Sequence, residues 1–450
     1  MRLLTLLDWV GLTNWSVRFA LENNFAYNLA YPLRPIGSFL LRAREEVLVQ
    51  DAETYQRVTV RFGGQGVVPR TEGRVKGSDI GTKRQFRLRA GQFVLSRIDA
   101  RHGAMGIAPP ALDGAILTND FPAYALDPTL IDPRFFELIT GTAAFIRYCR
   151  NCSTGTTNRQ RLDEDLFLEV AVPLPPLAEQ ARLVADYDQQ AQSAEQKRAE
   201  AEVLHDKSDK YLFSRLGIST TEKPQRRGTW QFISSGGLTR WDPQFLFGSL
   251  KLLFTAPPVK LRQLIARFMV AEGGKAMRVD PQNEPETTFH YLGLENIEKN
   301  SGELLNLPLV KGGQIKSSCL RIPKNYVAYN KLRPYLNKFW HNSTEFTDVI
   351  SSPELFVFEL AEGINLPYFL AVLSSSVVQH QIRDVMSGAR MPRISEANFL
   401  NLNFPLSDAR AQQDVAEFFG RAKAQAEDLR TQAADLEAAA RRTFEAAIFA

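Results

Sequence analysis

Arg161, Glu164, Phe167, Leu168, Pro173, Leu174 and Gln180 are repeated as Arg393, Glu396, Phe399, Leu400, Pro405, Leu406 and Gln412, every pair 232 positions apart. Leu162/Ile394, Val170/Leu402 and Val172/Phe404 are apolar at the same offset. Seven identities at one offset, without a gap, mark a tandem duplication. The chain must therefore fold as two copies of one plan. Each copy ends in the same kind of segment. Residues 173–216 open with prolines, where a missing N–H costs a helix least, and then run on with no further Pro or Gly. Leu177, Val184, Tyr187, Ala191, Ala194, Ala201, Leu204, Tyr211 and Leu212 recur at helical steps with charge between them. This pattern predicts one amphipathic helix of about 60 Å, too long for the interior of a compact domain. Residues 404–450 repeat it with Val415, Phe418, Ala422, Leu429, Leu436, Ala440 and Phe444, and Ser407 or Asp408 is placed to cap the helix start.

The chain's 450 residues are enough for two or three domains with their own cores. Its 44% apolar and 23% charged content is that of an ordinary globular protein. Asp8 breaks the short apolar start, so no signal peptide is expected. No apolar run has membrane-spanning length, and a cytoplasmic location without membrane contact is expected. Cys149 and Cys152 form a C-x-x-C, but no second pair or histidine cluster completes a zinc site. The cysteines are read as thiols and no metal is expected.

The net charge is only +4, but its distribution is uneven. Residues 61–101 carry ten Lys/Arg against three acids, and residues 311–338 carry seven against none. Two such runs, one per copy and interleaved with aromatics, favour a polyanionic partner.

Along the chain, residues 1–35 read as helical and aromatic. Residues 36–130 read as short strands separated by glycine-rich turns, 135–149 as helical, and 167–175 (FLEVAVPLP) as a strand leading into the long helix. Residues 217–228, polar with Gly and Pro, read as a linker. In the second copy, 230–268 reads as mostly helical, followed by strands up to 360, a helix over 366–385, a loop over 386–394 and a strand over 398–406 (NFLNLNFPL).

Residues 291–297 (YLGLENI), 301–303 (SGE), 315–317 (IKS), 332–336 (LRPYL) with Lys338, and 387–419 (SGARMPRISEANFLNLNFPLSDARAQQDVAEFF) resemble the target-recognition domain of type I restriction-modification specificity subunits. Residues 173–184 (PLPPLAEQARLV) resemble that family's central region. The match spans nearly the whole chain and is looser before Gly91.

The resemblance implies an α+β protein with two tandem target-recognition domains in a pseudo-two-fold arrangement, joined by two long antiparallel coiled-coil-like helices. The corresponding boundaries are 1–172 and 229–403 for the domains, 173–216 and 404–450 for the helices, and 217–228 for the linker. It also implies a non-catalytic subunit that reads a bipartite double-stranded DNA target. Two methyltransferase subunits would supply adenine methylation with S-adenosylmethionine, and two motor-nuclease subunits would supply restriction with ATP and Mg2+. This chain itself would bind no cofactor.

No phosphate-binding G-x-x-x-x-G-K-[ST] and no [DN]-P-P-[YF] methyltransferase run occurs, so no catalytic residue is assigned. Arg and Lys neutralise phosphates, and Arg or Asn pair with base edges. The DNA-contact candidates are Lys83, Arg84, Arg97, Arg101, Asn158, Arg159 and Arg161 in the first copy. In the second they are Lys316, Lys331, Arg333, Lys338, Arg390 and Arg393. Aligning 95–98 with 329–332 makes Arg97 and Lys331 equivalent, while Arg161 and Arg393 also suit ion pairs with Glu164 and Glu396. Leu177, Val184, Tyr187, Val415, Phe418, Phe419 and Leu429 are the candidates for docking partner subunits. Two alternatives remain: a recognition module of another defence or split nuclease-methylase assembly, and a coiled-coil scaffold that does not bind DNA.

Overall fold

The structure is a computed structural model and describes residues 27–28, 30–63, 65–71, 73–151, 153–154, 161–222, 250–268, 278–388 and 390–449. It is α+β and divides into two units, Met1–Gln196 with Gln432–Ala450, and Lys197–Thr431. The division passes through two long helices, α4 (Leu177–Arg215) and α8 (Ala409–Ile448).

Unit 1 is built on an antiparallel sheet of β2 (Leu40–Ala43), β3 (Phe93–Leu95), β4 (Met105–Ile107) and β5 (Ala123–Leu126), in the order β4-β3-β5-β2. Helices α1 (Pro133–Thr140) and α2 (Ala143–Asn151) follow the sheet, with Asp132 capping the first of them. Asp163 then caps the short α3 (Glu164–Glu169). Beyond it, β6 (Ala171–Pro173) pairs with β1 (Leu33–Pro35) before α4 begins. Phe93, Phe136, Phe145 and Phe167 are buried together between sheet and helices, in edge and stacked contacts.

Unit 2 repeats this plan. Its sheet comprises β8 (Ile265–Phe268), β9 (Val327–Asn330), β10 (Phe339–His341) and β11 (Leu355–Leu360), in the order β10-β9-β11-β8. Helices α5 (Leu366–Ser374) and α6 (Ser376–Val385) stand where α1 and α2 stand, and Asn365 caps α5. Ser395 caps α7 (Glu396–Leu400), and β12 (Asn403–Phe404) pairs with β7 (Val259–Lys260). Matched hydrogen bonds accompany the matched sequence. Ile36 N–H donates to Val170 O and Leu261 N–H to Leu402 O; Gln180 Nε2 donates to Pro175 O and Gln412 Nε2 to Ser407 O. Phe167 and Phe399 are both fully buried.

Within each unit, the segments of α4 and α8 face one another. In unit 1 Tyr187 meets Phe444 edge-on. In unit 2 Tyr211 stacks on Phe418 with ring centroids 4.1 Å apart. One turn further along α4, Arg215 bonds Asp414, one turn back on α8, so the two segments run antiparallel.

Several expectations need correction. Of 230–268, residues 230–249 lie outside the described residues, and the remainder is mainly strand, with Leu250–Phe254, β7 and β8, and a single 3-10 turn at Leu261–Leu264 in place of the expected helix. The first of these pairs with Ile218–Glu222, so the beginning of the expected linker is itself a strand. The pairing holds its polar residues in place, which composition does not show. The apolar residues of 164–169 and 396–400 form one capped helical turn each, and only the residues after it extend as strand. The long helices begin at Leu177 and Ala409, because the prolines and the capping turn precede them. Of the expected N-terminal helical stretch, 1–26 lies outside the described residues and Leu33–Pro35 is strand. No helix among the described residues is long and apolar enough to cross a membrane.

Candidate functional site

In unit 2, four of the sequence-selected cations come from two adjoining loops. The chain leaves β9 at Asn330, whose side chain is fully buried. Its amide nitrogen donates to Leu332 O at 3.0 Å and Arg333 O at 2.9 Å, and its amide oxygen accepts from Lys338 N–H at 2.9 Å. These three bonds close a turn over 331–338 in which Arg333 and Asn337 both adopt left-handed backbone, φ 49°. That conformation costs a non-glycine residue about 1–2 kcal/mol and persists only where its surroundings enforce it.

The second loop is pinned by reciprocal bonds between Ser387 and Arg393, and Pro392 O accepts from Arg333 N–H at 2.7 Å. Lys331, Arg333, Arg390 and Arg393 are thereby collected on one edge of the unit. Arg333 and Arg390 are exposed, and so are Tyr335 and Met391 beside them. Arg393 makes two bonds to Glu354, at 2.9 and 3.1 Å, and they hold that carboxyl below its ordinary range. Lys331 is half-buried, with its ammonium 5.8 Å over the Phe356 ring, and burial lowers its pKa.

Unit 1 builds an equivalent corner. Arg97 follows β3 as Lys331 follows β9. Arg97 N–H donates to Asp120 O and its carbonyl accepts from Leu162 N–H; Lys331 makes the same pair of bonds with Glu354 and Ile394. Arg161 pairs with Asp120 at 3.2 Å, as Arg393 pairs with Glu354. The acids are therefore Asp120 and Glu354, not the Glu164 and Glu396 that sequence spacing offered. Glu164 serves another purpose. It lies 3.4 Å from Arg97 and 3.3 Å from Arg42, and accepts from the Tyr124 hydroxyl at 2.7 Å. Arg42 also stacks over the Tyr124 ring, and burial lowers its pKa. The corner thus places three guanidiniums, of Arg42, Arg97 and Arg161, against two carboxylates.

The other candidates lie elsewhere. Lys83 pairs with Asp51 and Arg84 with Glu46, on a separate three-stranded sheet that includes Arg84–Arg87 and Glu46–Leu48. Arg101 lies in a short turn with Nε 3.1 Å from His102 Nε2. Lys338 directs its ammonium to Leu294 O at 2.7 Å, bridging to the 291–297 motif. Lys316 is exposed on another loop. Asn158, Arg159 and Cys152 lie outside the described residues. Much of the basic run over 61–101 is offset by acids from outside it, such as Glu45 against Arg87 and Arg89.

On the helices, Val415 is 2% exposed and belongs to the core of unit 2, which removes it as a docking residue. Tyr187 is half-buried against Phe444 and Arg134, Val184 packs against the unit 1 core, Phe418 is stacked on Tyr211, and Phe419 packs against the unit 2 core. Leu177 is 40% exposed and Leu429 half-buried.

Sequence reasoning passed over Asn330, Asn337 and Arg42. Asn337 directly after LRPYL was a usable signal, since Asn tolerates left-handed backbone, and Asn330 shortly before it has a side chain able to bond the backbone of a following turn. Arg42 had none, because it meets Glu164 only through pairing of β2 with β5.

No family model and no curated protein matches the chain. Among solved structures, the chain is similar to one described under complex assembly and conformational transition of the type I R-M system. That similarity has 14% identity and TM-score 0.49, and covers 94% of this chain and 97% of that one. The chain is also similar to the S subunit of a type I restriction-modification system from M. genitalium, with 14% identity, TM-score 0.41, and 96% and 98% coverage. The HsdS subunit from Thermoanaerobacter tengcongensis is similar at 15% identity and TM-score 0.38, with 95% and 97% coverage.

Proposed function

We propose that the protein is a non-catalytic, DNA-binding specificity subunit of a type I restriction-modification assembly, each unit reading one part of a bipartite target. The observation that carries this reading is the corner built twice, on Arg97, Arg161 and Asp120 and on Lys331, Arg393 and Glu354, with the same backbone bonds. Exposed guanidiniums on a rigid turn suit bidentate contact with guanine edges or phosphates, and acids beside them hold the side chains extended. In this reading, adenine methylation with S-adenosylmethionine and ATP- and Mg2+-dependent restriction belong to two methyltransferase and two motor-nuclease subunits in the cytoplasm. Apolar residues left exposed on the helices, such as Leu177, are surface for those partners.

Methylome sequencing of the host tests the reading, with the gene intact, deleted, or carrying Arg333→Ala with Arg390→Ala. The expected result is a bipartite adenine-methylated motif that disappears on deletion. In the double variant, base preference should be relaxed in only one half of the motif, each lost base contact costing about 1–3 kcal/mol. A methylome identical with and without the gene refutes it.

A further inference from the structure

The turn over 298–303 lies between the Arg333 turn and the long helix α8. Glu298 N–H donates to Glu303 O and closes the turn, and Gly302 is left-handed at φ 70°, where a Cβ would collide with the Phe339 ring. At its tip Asn300 N–H donates to the carbonyl of Asn337, the second left-handed residue of the Arg333 turn. On its other side Glu303 projects between two cations of α8. Its carboxylate oxygens lie 4.0 Å from Lys423 Nζ and 3.9 Å from Arg430 Nη1. Beside this contact is a cavity of about 30 Å³, lined by Leu204 and His205 of α4, Phe419 and Ala426 of α8, and Asn300 and Ser301 of the turn. Apolar packing across the gap is therefore incomplete, and charge makes the connection.

The connection is held at a cost. Glu303 Oε1 is buried without a hydrogen bond, and burial raises the carboxyl's pKa despite both cations. Glu427 on α8 and Glu298 on the turn add repulsion. A carboxylate held where its charge is disfavoured is weak evidence for stabilisation, and what distinguishes Glu303 is its place between the turn and α8.

We propose that Glu303 is a positioning residue: clasped by Lys423 and Arg430, it fixes the turn that carries Arg333 to α8, so that DNA contact and long helix move as one body. The proposal rests on the DNA-binding reading above. In that reading the clasp limits which separations between the two parts of the target are accepted.

The test uses the full chain co-expressed with its methyltransferase and a plasmid library in which the spacer of the motif varies. Glu303→Gln keeps shape and removes charge. Expected is unchanged base preference in both parts of the motif, with methylation of targets one base pair longer or shorter rising about tenfold relative to the preferred spacer, the size of an ordinary pairwise coupling. Glu303→Lys combined with Lys423→Glu and Arg430→Glu should restore the narrow profile. An unchanged spacer profile in Glu303→Gln overturns the proposal. So does equal loss at every spacer, which would mark a structural role only.

A second measurement does not depend on DNA. Hydrogen exchange at the amides of Arg333, Leu336 and Asn337, which donate to Pro392, Arg333 and Pro334, should quicken in Glu303→Gln. Unchanged exchange there overturns the proposal even if the chain proves to bind no DNA. A chain-dependent motif that is absent in the parent protein counts against the DNA-binding reading alone.

Discussion

Asn330→Ala offers the sharpest test of how the Arg333 turn is held. The side chain is fully buried and makes three hydrogen bonds, at 3.0, 2.9 and 2.9 Å, to Leu332 O, Arg333 O and Lys338 N. Each is worth about 1 kcal/mol net, and the orphaned partners remain partly shielded from water, so the turn loses on the order of 3 kcal/mol. The left-handed conformation of Arg333 adds a push in the same direction, since these bonds are among those that hold it in place.

A loss of that size raises the open population of the turn roughly 150-fold. With two units in the chain a single melting temperature is not a clean readout, whereas native-state hydrogen exchange reports local opening. The amides of Arg333 and Lys338 should exchange on the order of a hundredfold faster in Asn330→Ala. Asn398→Ala is the control, since its amide makes one bond in the same unit, to Val385 O at 3.1 Å. It should leave those two amides unchanged. Acceleration of less than about fivefold, or equal acceleration in both variants, would mean that the turn does not depend on Asn330 and that this bond accounting is wrong.

Arg393→Ala removes a half-exposed bidentate pair with Glu354 and should change stability by less than about 1 kcal/mol. If Arg393 also contacts a phosphate, the slope of log affinity against log salt should become shallower by about 0.9, as titration at several salt concentrations will show. Lys331→Met should stabilise the protein at neutral pH, because burial lowers the folded-state pKa of the lysine and its charge is carried at a cost. That advantage should fade as pH rises toward the ordinary lysine range, where the unfolded chain also loses the proton; a pH series of denaturant titrations reads it. Glu303→Gln behaves in the opposite sense. Its folded-state value is raised, so the penalty on the parent protein is present at neutral pH and disappears as pH falls through that value toward the ordinary carboxylate range. The groups facing Glu303 are Lys423, Arg430, Glu427 and Glu298, with His205 across the adjoining cavity. Cys319 is buried and pushed up to about 11, so iodoacetamide at pH about 8 should label it slowly in the folded protein and rapidly after denaturation.

The duplication was legible in the sequence because its residues do local work. The prolines precede each long helix, and Gln180 and Gln412 each bond a carbonyl five residues back, while Phe167 and Phe399 fill the same place in their two cores, so one spacing brings out both copies. The helices were legible for the same reason, their apolar steps being internal to the segment. The strands over 250–268 were not, since apolar runs of that length suit helix or strand until a partner is present, and Leu250–Phe254 has its partner at Ile218–Glu222. The basic corner divided along the same line. Sequence placed Arg97 and Lys331, and Arg161 and Arg393, in equivalent positions. It assigned the wrong acids to the arginines, because Asp120 and Glu354 reach them across sheet neighbours rather than along a helix. The first charge run misled similarly: Glu45, Glu46 and Asp51, which lie outside it in the sequence, offset several of its cations. Hydrogen bonds and apolar steps within one turn are written into the order of residues. Which charge meets which is decided by strand register, and register depends on the whole buried face at once.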